Sequence, residues 1–459
     1  MVDLVNLPYL EDSAGYFECV RALGWGIWLD SGKPHQNRGR YDIISAAPDK
    51  QLVSDHTGSY CIEGKHRRDY SSAWESLRQE LVLDSIAPAP EDSLPFYHGA
   101  LGYLGYDLGR QLEMLHDSTT DDSGLPELAI GIYGWALLQD HRERRSWFSC
   151  RPGFDQVRKA ELLERLQNAQ TESSRIDVSN QFKVGQFQSN TERDEYLVRI
   201  SRIHEYIIAG DCYQVNFAQR FEADCKGDPF SGYLNLRHSL PSPYSAYFEA
   251  GDNTILSFSP EQFLQSDGRR VTTRPIKGTC PRGKNGEEDR ALARQLQMSA
   301  KNRAENLMIV DLLRNDLSKV CKSVETPQLF ALESYANVHH LVSTVTGVLE
   351  EPNDCIDLLR ACFPGGSITG APKRRAMQII EELEKSRRSV YCGSLGYIDS
   401  TGRMDTSIAI RTLAVCRQKV YTWGGGGIVF DSDPEEEYQE SLTKIGVLLR
   451  TLAQGNSWQ

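Results

Sequence analysis

The sequence predicts an α+β protein with largely antiparallel sheets, and two observations carry that reading. Strand-like segments come in runs, and the helical stretches between them do not alternate one by one with strands as βαβ units would. At 459 residues the chain exceeds what one compact core usually needs, so two domains or one large two-layer domain are expected. With 40% apolar and 25% charged residues the composition is that of an ordinary globular protein, able to fill such a core. A net charge of −12 argues against nucleic acid or an anionic membrane as partner.

Taken in order, the first part reads as short strands with turn punctuation: WGIWLDSG, YDIISAAP, FYHGALGYLGYDLG, LAIGIYGWALLQD and RSWFSCRPG. A helix is expected from Val157 to Leu166. A polar, weakly periodic stretch at 168–190 divides a β-rich region, 1–180, from a second region, 190–455. Asn190 or Thr191 then caps a helix whose Tyr196, Ile200, Ile203 and Ile207 keep helical spacing until Gly210. Strands follow at YQVNFAQRF, SAYFEA, ILSFSPEQFLQ and RRVTTRPIKGT, and one long helix from about Glu287 to Arg314. The Gly-Ser-Thr loop 365–373 opens a helix from about Arg374; it lacks the G-K-[ST] ending of a phosphate loop. Strands return at SLGYID, SIAIRTLAVC and KVYTWGGGGIVF, and a last helix runs from Pro434 to about Leu452.

No window approaches 18 uninterrupted apolar residues, and the N-terminal MVDLVNLPYLEDSAGYF has no basic and apolar leader pattern. Eleven scattered cysteines form no C-x-x-C pair, which favours reduced thiols in a cytoplasmic setting over disulfides or structural zinc.

The most telling residue is Lys277, in Arg274-Pro275-Ile276-Lys277-Gly278-Thr279. Proline stiffens the approach, glycine bares the backbone, and Arg274 supplies a second cation. A nucleophilic lysine needs its neutral form, which desolvation or a neighbouring cation favours; a strand-end salt bridge is the plainer reading. Glu261 lies one strand earlier, where it pairs with the lysine across a hairpin, as a salt bridge or as a proton donor to a leaving group. On the last helix Asp433 is the cap, and Glu437, Glu440 and Lys444 share one stripe. That stripe is a surface ion pair or a carboxylate face for Mg²⁺ beside an anion-binding lysine. Glu305 sits in an apolar helical run; Arg303 or Arg314 neutralises it, or it shares a metal with Glu440. The run Gly424–Gly427 is read as a flexible hairpin or as exposed N–H groups cradling an anion.

Together these segments resemble the chorismate-utilising enzymes, which include anthranilate synthase component I, isochorismate synthase and salicylate synthase. The resemblance is carried by GDCYQVN (210–216), SPEQF (259–263), RPIKGT (274–279), RAENLMIVDLLRNDL (303–317), HHLVST (339–344), FPGGSITGAPKRRAM (363–377), YCGSLGYI (391–398), IAIRTL (408–413) and GGGGIVFDSDPEEEYQE (424–440), and it reaches back through GALGYLGYDLGR (99–110) and GIYGWALLQDH (131–141). It implies two large, mostly antiparallel sheets packed as a sandwich with helices outside. It also implies that Lys277 adds to C2 of chorismate while Glu261 protonates the departing C4 hydroxyl. Ammonia then attacks C4 and expels the lysine, giving 4-amino-4-deoxychorismate for para-aminobenzoate and folate. The anthranilate-forming branch has PIAGT here, alanine in place of lysine.

By the same resemblance Glu305, Glu437 and Glu440 hold Mg²⁺. Gly278, Thr279, Tyr391, Arg411, Gly425, Gly426, Gly427 and Lys444 hold substrate oxygens. His340 lies near the ring and Thr369 near the incoming ammonia. Ser31, Arg38, Gly39, Arg40, Tyr41, Pro243, Tyr244 and Ser245 match positions that hold tryptophan in relatives. No glutaminase pattern occurs in the chain, so the ammonia source is expected to be a separate glutaminase subunit in a heterodimer. An isochorismate-forming enzyme would use a lysine base where Gln214 stands. A silent tryptophan-binding subunit would show a damaged site, yet Lys277, Glu305, Glu440 and the glycines are all intact.

Overall fold

In the computed structural model, residues 2–32, 39–83, 94–115, 119–169, 181–335 and 338–453 are described. Their strands form two large antiparallel sheets. The first runs, in spatial order, Asp3–Leu7, Arg145–Cys150, Trp135–Asp140, Tyr41–Ser45, Ile27–Asp30, Tyr244–Ala250, Asn253–Ser259, Thr412–Cys416, Lys419–Ile428, Gln214–Lys226 and Lys183–Val184. The second runs Ile276–Pro281, Val338–Leu349, Arg270–Arg274, Gln262–Asp267, Arg403–Ile408, Ser394–Asp399, Gly99–Leu104, Leu128–Tyr133, Lys50–Asp55, Gly58–Glu63 and His66–Tyr70, with Cys321–Ser334 also on Val338–Leu349. Both sheets therefore take strands from either side of residue 180.

Burial explains why the sheets stack as they do. Along Trp135–Asp140, Ala136 and Leu138 enter the core between the sheets, while Leu137 enters a second core beneath outer helices. Ala246 and Phe248 against Tyr247, and Ile255 against Leu256, alternate in the same way. A sheet covered on both faces reads as a continuous apolar run, as WALL does. The second core is closed by Ala14–Arg21, Gln156–Gln167, Pro229–Ser239 and the last helix, Pro434–Ala453. A third cluster seats Arg193–Ile208 and Lys373–Leu383 on Val215, Phe217 and Ile428.

Three strands expected as single units are each two, because the chain changes sheet inside them. LAIGIYGWALLQD breaks at Gly134, ILSFSPEQFLQ at Pro260-Glu261, and SIAIRTLAVC at residues 409–411. RRVTTRPIKGT breaks at Pro275, which has no N–H for the ladder. The long helix expected at 287–314 is a pair, Gly286–Met298 and Ala300–Ser318. Ser299, at φ −64° and ψ 109°, ends one and caps the next through Asn302 N–H. FYHGALGYLGYDLG is the strand Gly99–Leu104, and its last two residues open the helix Leu108–Glu113. All eleven cysteines are free thiols. No helix among the described residues is long and apolar enough to cross a membrane.

Candidate active site

Two crossovers between the sheets lie side by side and build the site. Ser259 ends a strand of the first sheet and Gln262 begins one of the second, so Pro260-Glu261 spans the gap. The return crossing, Ala409 to Arg411, is pinned to it by Ile408 N–H donating to the Glu261 carbonyl at 3.1 Å. The Ser259 hydroxyl steadies the turn by accepting from Glu261 N–H at 3.2 Å. The Glu261 carboxyl is buried and accepts from the Ser367 hydroxyl and the Ile276 N–H. Burial nevertheless pushes its pKa up, against those bonds and the nearby Lys277 charge.

Lys277 arrives on Ile276–Pro281. The register with Val338–Leu349 slips between Ile276, opposite Val342, and Thr279, opposite His340. Gly278 takes φ +91° within that slip, and a Cβ there would lie 3.0 Å from Asn302 and Leu296. The irregularity re-aims the intervening lysine, as bulges do. Its Nζ comes to rest 3.3 Å from where a Cβ of Gly427 would be. Withdrawal from water lowers the pKa of Lys277; Lys444 adds to the shift, while Glu305, Glu261 and Glu440 oppose it. The expected second cation, Arg274, is instead engaged with Glu333, so the cation acting on the lysine is Lys444.

The four glycines are not a loop. They lie within Lys419–Ile428, with Asn216, Phe217, Ala218 and Gln219 opposite Gly427, Gly426, Gly425 and Gly424. Steric need accounts for them. A Cβ on Gly424 would sit 2.4 Å from the Ser441 carbonyl, and one on Gly426 would sit 3.0 Å from Glu437 Oε2 and 3.5 Å from Glu440 Oε1 and Lys444 Nζ. The last helix thus lies directly on bare strand, and its acidic stripe projects over Gly426.

Asp433 caps that helix by accepting from Glu435 and Glu436 N–H, both at 3.0 Å. Glu437 is buried, with Oε1 held by the Ser432 hydroxyl at 2.6 Å, and burial raises its pKa. Lys444 Nζ meets Glu440 Oε1 at 2.6 Å and the Gly425 carbonyl at 3.0 Å, and that cation lowers the pKa of Glu440. Glu305 approaches from Ala300–Ser318, its pKa raised by burial and by the Glu440 charge. Neither expected arginine neutralises it: Arg303 lies over the Phe330 ring and Arg314 pairs with Asp311. Glu305 and Glu437 each sense the Glu440 charge, yet no cluster of donors among the described residues is gathered closely enough to hold a metal by itself. Such a set suits Mg²⁺, a hard cation that takes one or two carboxylates and fills the rest with water or substrate oxygens.

Above these groups, the His340 ring nitrogen Nδ1 lies 2.8 Å from the Thr279 hydroxyl. Burial, with Arg411 and His339 nearby, lowers its pKa to about 3, so the ring is neutral at physiological pH. Arg411 takes φ +50° at the crossing, and withdrawal from water lowers its pKa. No carboxylate pairs with it among the described residues, which leaves a cation able to take an anionic ligand. Tyr391 stacks on Trp423 at 5.8 Å, just before the glycine run. Thr369 is fully buried, its hydroxyl donating to the Gly365 carbonyl at 3.0 Å and its carbonyl accepting from Asn216 at 2.8 Å.

Residues that sequence reading passed over also shape the cleft. The Lys301 charge is felt by Glu305, Glu437 and Glu440, and its place one turn before Glu305 was the available signal. Buried Arg388 clamps the site's floor, donating to the Ile368 carbonyl at 2.9 Å, the Asn216 carbonyl at 2.7 Å and Glu384 at 2.6 Å. Gln214, by contrast already singled out in the sequence, is fully buried, and neither of its amide atoms has a partner among the described residues; its Nε2 lies 3.0 Å from the Cβ position of Gly427.

A separate cavity of about 290 Å³ opens between the sheets. Ser31, Arg40, Tyr41, Pro243, Tyr244 and Ser245 line it, and Gly39 packs on Ser31 so closely that a Cβ would fall 2.3 Å from the Ser31 carbonyl. Arg38 lies outside the described residues. The second sheet contributes Gln265, Tyr397 and Asp405, which the sequence did not suggest.

Comparisons with known proteins agree on one group. A family model described as chorismate binding enzyme matches residues 26–450. The chain is 43% identical to aminodeoxychorismate synthase component 1 of Escherichia coli (strain K12), over 98% of each chain. It is 41% identical to the protein of that name from Salmonella typhimurium, again over 98% of each. The crystal structure of anthranilate synthase component I from Streptococcus pneumoniae TIGR4 matches with a TM-score of 0.78 at 32% identity, covering 90% of this chain and 93% of that one.

Proposed function

The chain belongs to the chorismate-binding enzyme family, and from that premise we propose that it converts chorismate and ammonia to 4-amino-4-deoxychorismate, on the route to para-aminobenzoate and folate. One observation carries the choice of product: a lysine with lowered pKa, Lys277, faces the cleft between a buried acid and a carboxylate stripe.

The neutral amine of Lys277 attacks C2 of the ring, both conjugated ring double bonds shift, C1=C2 to C1=C6 and C5=C6 to C4=C5, and the C4–O bond breaks. Glu261, whose pKa burial raises, gives its proton to the departing hydroxyl, which leaves as water. Ammonia then forms a bond to C4, both double bonds return to C5=C6 and C1=C2, and the C2–N bond breaks to release Lys277. Arg411, Lys444, Thr279, Tyr391 and the backbone of Gly278 and Gly425–Gly427 bind and orient the oxygens of the dianion, with neutral His340 beside the ring. Glu305, Glu437 and Glu440 would hold Mg²⁺, which supplies positive charge to the ring carboxylate. The relatives' designation as component 1 implies a partner component; we take it to be a glutaminase that supplies the ammonia. The cavity between the sheets is the proposed tryptophan site. Eleven free thiols support a reducing, cytoplasmic setting.

Incubation with chorismate, Mg²⁺ and an ammonium salt tests the reading. The expected product is 4-amino-4-deoxychorismate, with a chorismate-derived mass on Lys277 in quenched enzyme. Anthranilate as the main product would sink it.

A further inference from the structure

We propose that Arg282, Asp289 and His339 are positioning residues for Lys277, clamping the outer end of the strand on which that amine stands. The proposal rests on the amination reading above, which makes Lys277 the reacting group, and adds what holds it in place.

Ile276–Pro281 is the last strand of the second sheet. Among the described residues it pairs only with Val338–Leu349, through Ile276, Thr279, Cys280 and Pro281, and Lys277 and Gly278 lie in the slip between them. A strand paired on one side and out of register in its middle is held weakly by its own ladder. Lys277 must nevertheless meet a ring carbon that is held from other elements, by Arg411 at the crossing and Lys444 on the last helix. Something beyond the ladder has to fix it.

A charged clamp stands just past the strand. Arg282 grips Asp289, in the first turn of Gly286–Met298, with two parallel bonds: Nε to Oδ1 at 2.7 Å and Nη2 to Oδ2 at 2.8 Å. Gly283 N–H donates to the same Oδ1 at 2.9 Å, and a Cβ on Gly283 would fall 2.2 Å from the Asp289 nitrogen, so the chain presses directly on the helix. The next partner comes from the neighbouring strand. His339 is 2% exposed, with Nε2 3.0 Å from Asp289 Oδ1 and Nδ1 2.8 Å from the Ser334 hydroxyl. The mechanism gives His339 no task, and successive strand residues face opposite ways, so it points away from His340 and the cleft. One carboxylate thus joins the end of the nucleophile's strand, the helix that packs on it and the strand it pairs with.

Arg282 reaches further. Its Nη1 donates to the Tyr335 carbonyl at 2.7 Å, and the Tyr335 ring stands edge-on to His340 at 5.4 Å. The Tyr335 hydroxyl donates to Glu333, which holds Arg274. Arg274 and Arg282, on either side of Lys277, are therefore tied to one group of side chains. The clamp includes none of the residues proposed to bind the dianion, so loosening it costs rate rather than affinity.

The test uses the full chain with chorismate, Mg²⁺ and an ammonium salt. Asp289→Asn and His339→Ala are each expected to lower kcat about thirtyfold, with KM for chorismate within about threefold of wild type. The double variant should lose no more than the worse single one, because the clamp acts as a unit. His339→Gln, whose Nε2 reaches the same oxygen, should return the rate to within about threefold of wild type. Arg282→Gln takes the place of Asp289→Asn if that chain fails to fold. Lys277 is also followed without substrate, by its rate of reductive methylation with formaldehyde, counted by peptide mass spectrometry against exposed Lys65. That rate is expected to change at least fivefold in the Asp289 and His339 variants. An unchanged kcat, KM rising in step with its loss, losses that multiply in the double variant, no recovery in His339→Gln, or an unchanged Lys277 methylation rate would each overturn the proposal. If the wild type makes no 4-amino-4-deoxychorismate from ammonium, the amination reading fails, and the methylation rate alone decides the clamp.

Discussion

Lys277 and Glu261 are displaced toward each other in proton affinity: burial lowers the lysine pKa and raises that of the acid. The working form of the pair holds one proton. Below the Glu261 range it holds two and the amine has no lone pair; above the Lys277 range it holds none and the leaving hydroxyl has no donor. The kcat/KM for chorismate, measured at constant free ammonia, is therefore expected to be bell-shaped. Glu261→Gln should turn the bell into a single rise through the Lys277 titration; a retained acid limb of the original shape would rule out this pairing. Both residues, and the stripe Glu437–Glu440–Lys444, were legible from spacing and motif. Their neighbourhoods were not. Arg274 is three positions from Lys277 but is held by Glu333, while Lys444, remote in sequence, supplies the cation. Adjacency along a strand says little about which charges share a cleft, because the partner arrives on another element.

The glycine strand shows the same limit one level up. A run of four glycines read as a flexible hairpin or an anion cradle, yet each lacks a side chain because something else occupies its space. Two substitutions separate the roles. Gly425→Ala puts a methyl 2.3 Å from the Phe217 carbonyl, which is backbone and cannot move aside. It is expected to lower stability by about 3 kcal/mol in urea unfolding. Gly426→Ala meets first the ends of Glu437, Glu440 and Lys444. It should fold, and lose about 10²-fold in rate as the carboxylates are displaced. Equal stability of the two variants would contradict this division. Long, well-capped elements such as Pro434–Ala453 were readable from sequence. Short helices such as Ala14–Arg21, Ala73–Glu80 and Cys355–Cys362 escaped, since two turns hold too few positions to show a period. Strand breaks at the sheet crossovers escaped because both halves are apolar.

For the whole molecule, neither sheet belongs to one part of the chain. Ile27–Asp30 pairs with Tyr244–Ala250, and Gly99–Leu104 with Ser394–Asp399, so loosening one region strips partners from the other. Calorimetry is expected to show a single endotherm. Because the cavity is lined from both sheets, saturating tryptophan should raise that one transition, by about 2.7 kcal/mol at a hundredfold excess over Kd. Two resolved transitions, only one of them moved by tryptophan, would refute both statements. Strand pairing over such separations also sets a timetable for synthesis. The partner of Gly99–Leu104 begins at residue 394, about 290 residues later, or roughly 15–60 s at ribosomal speeds of about 5–20 residues per second. For that interval a fully apolar strand has left the exit tunnel with one edge open. The nascent chain is then at its most adhesive, and cellular yield should depend on what shelters that edge until the C-terminal third emerges.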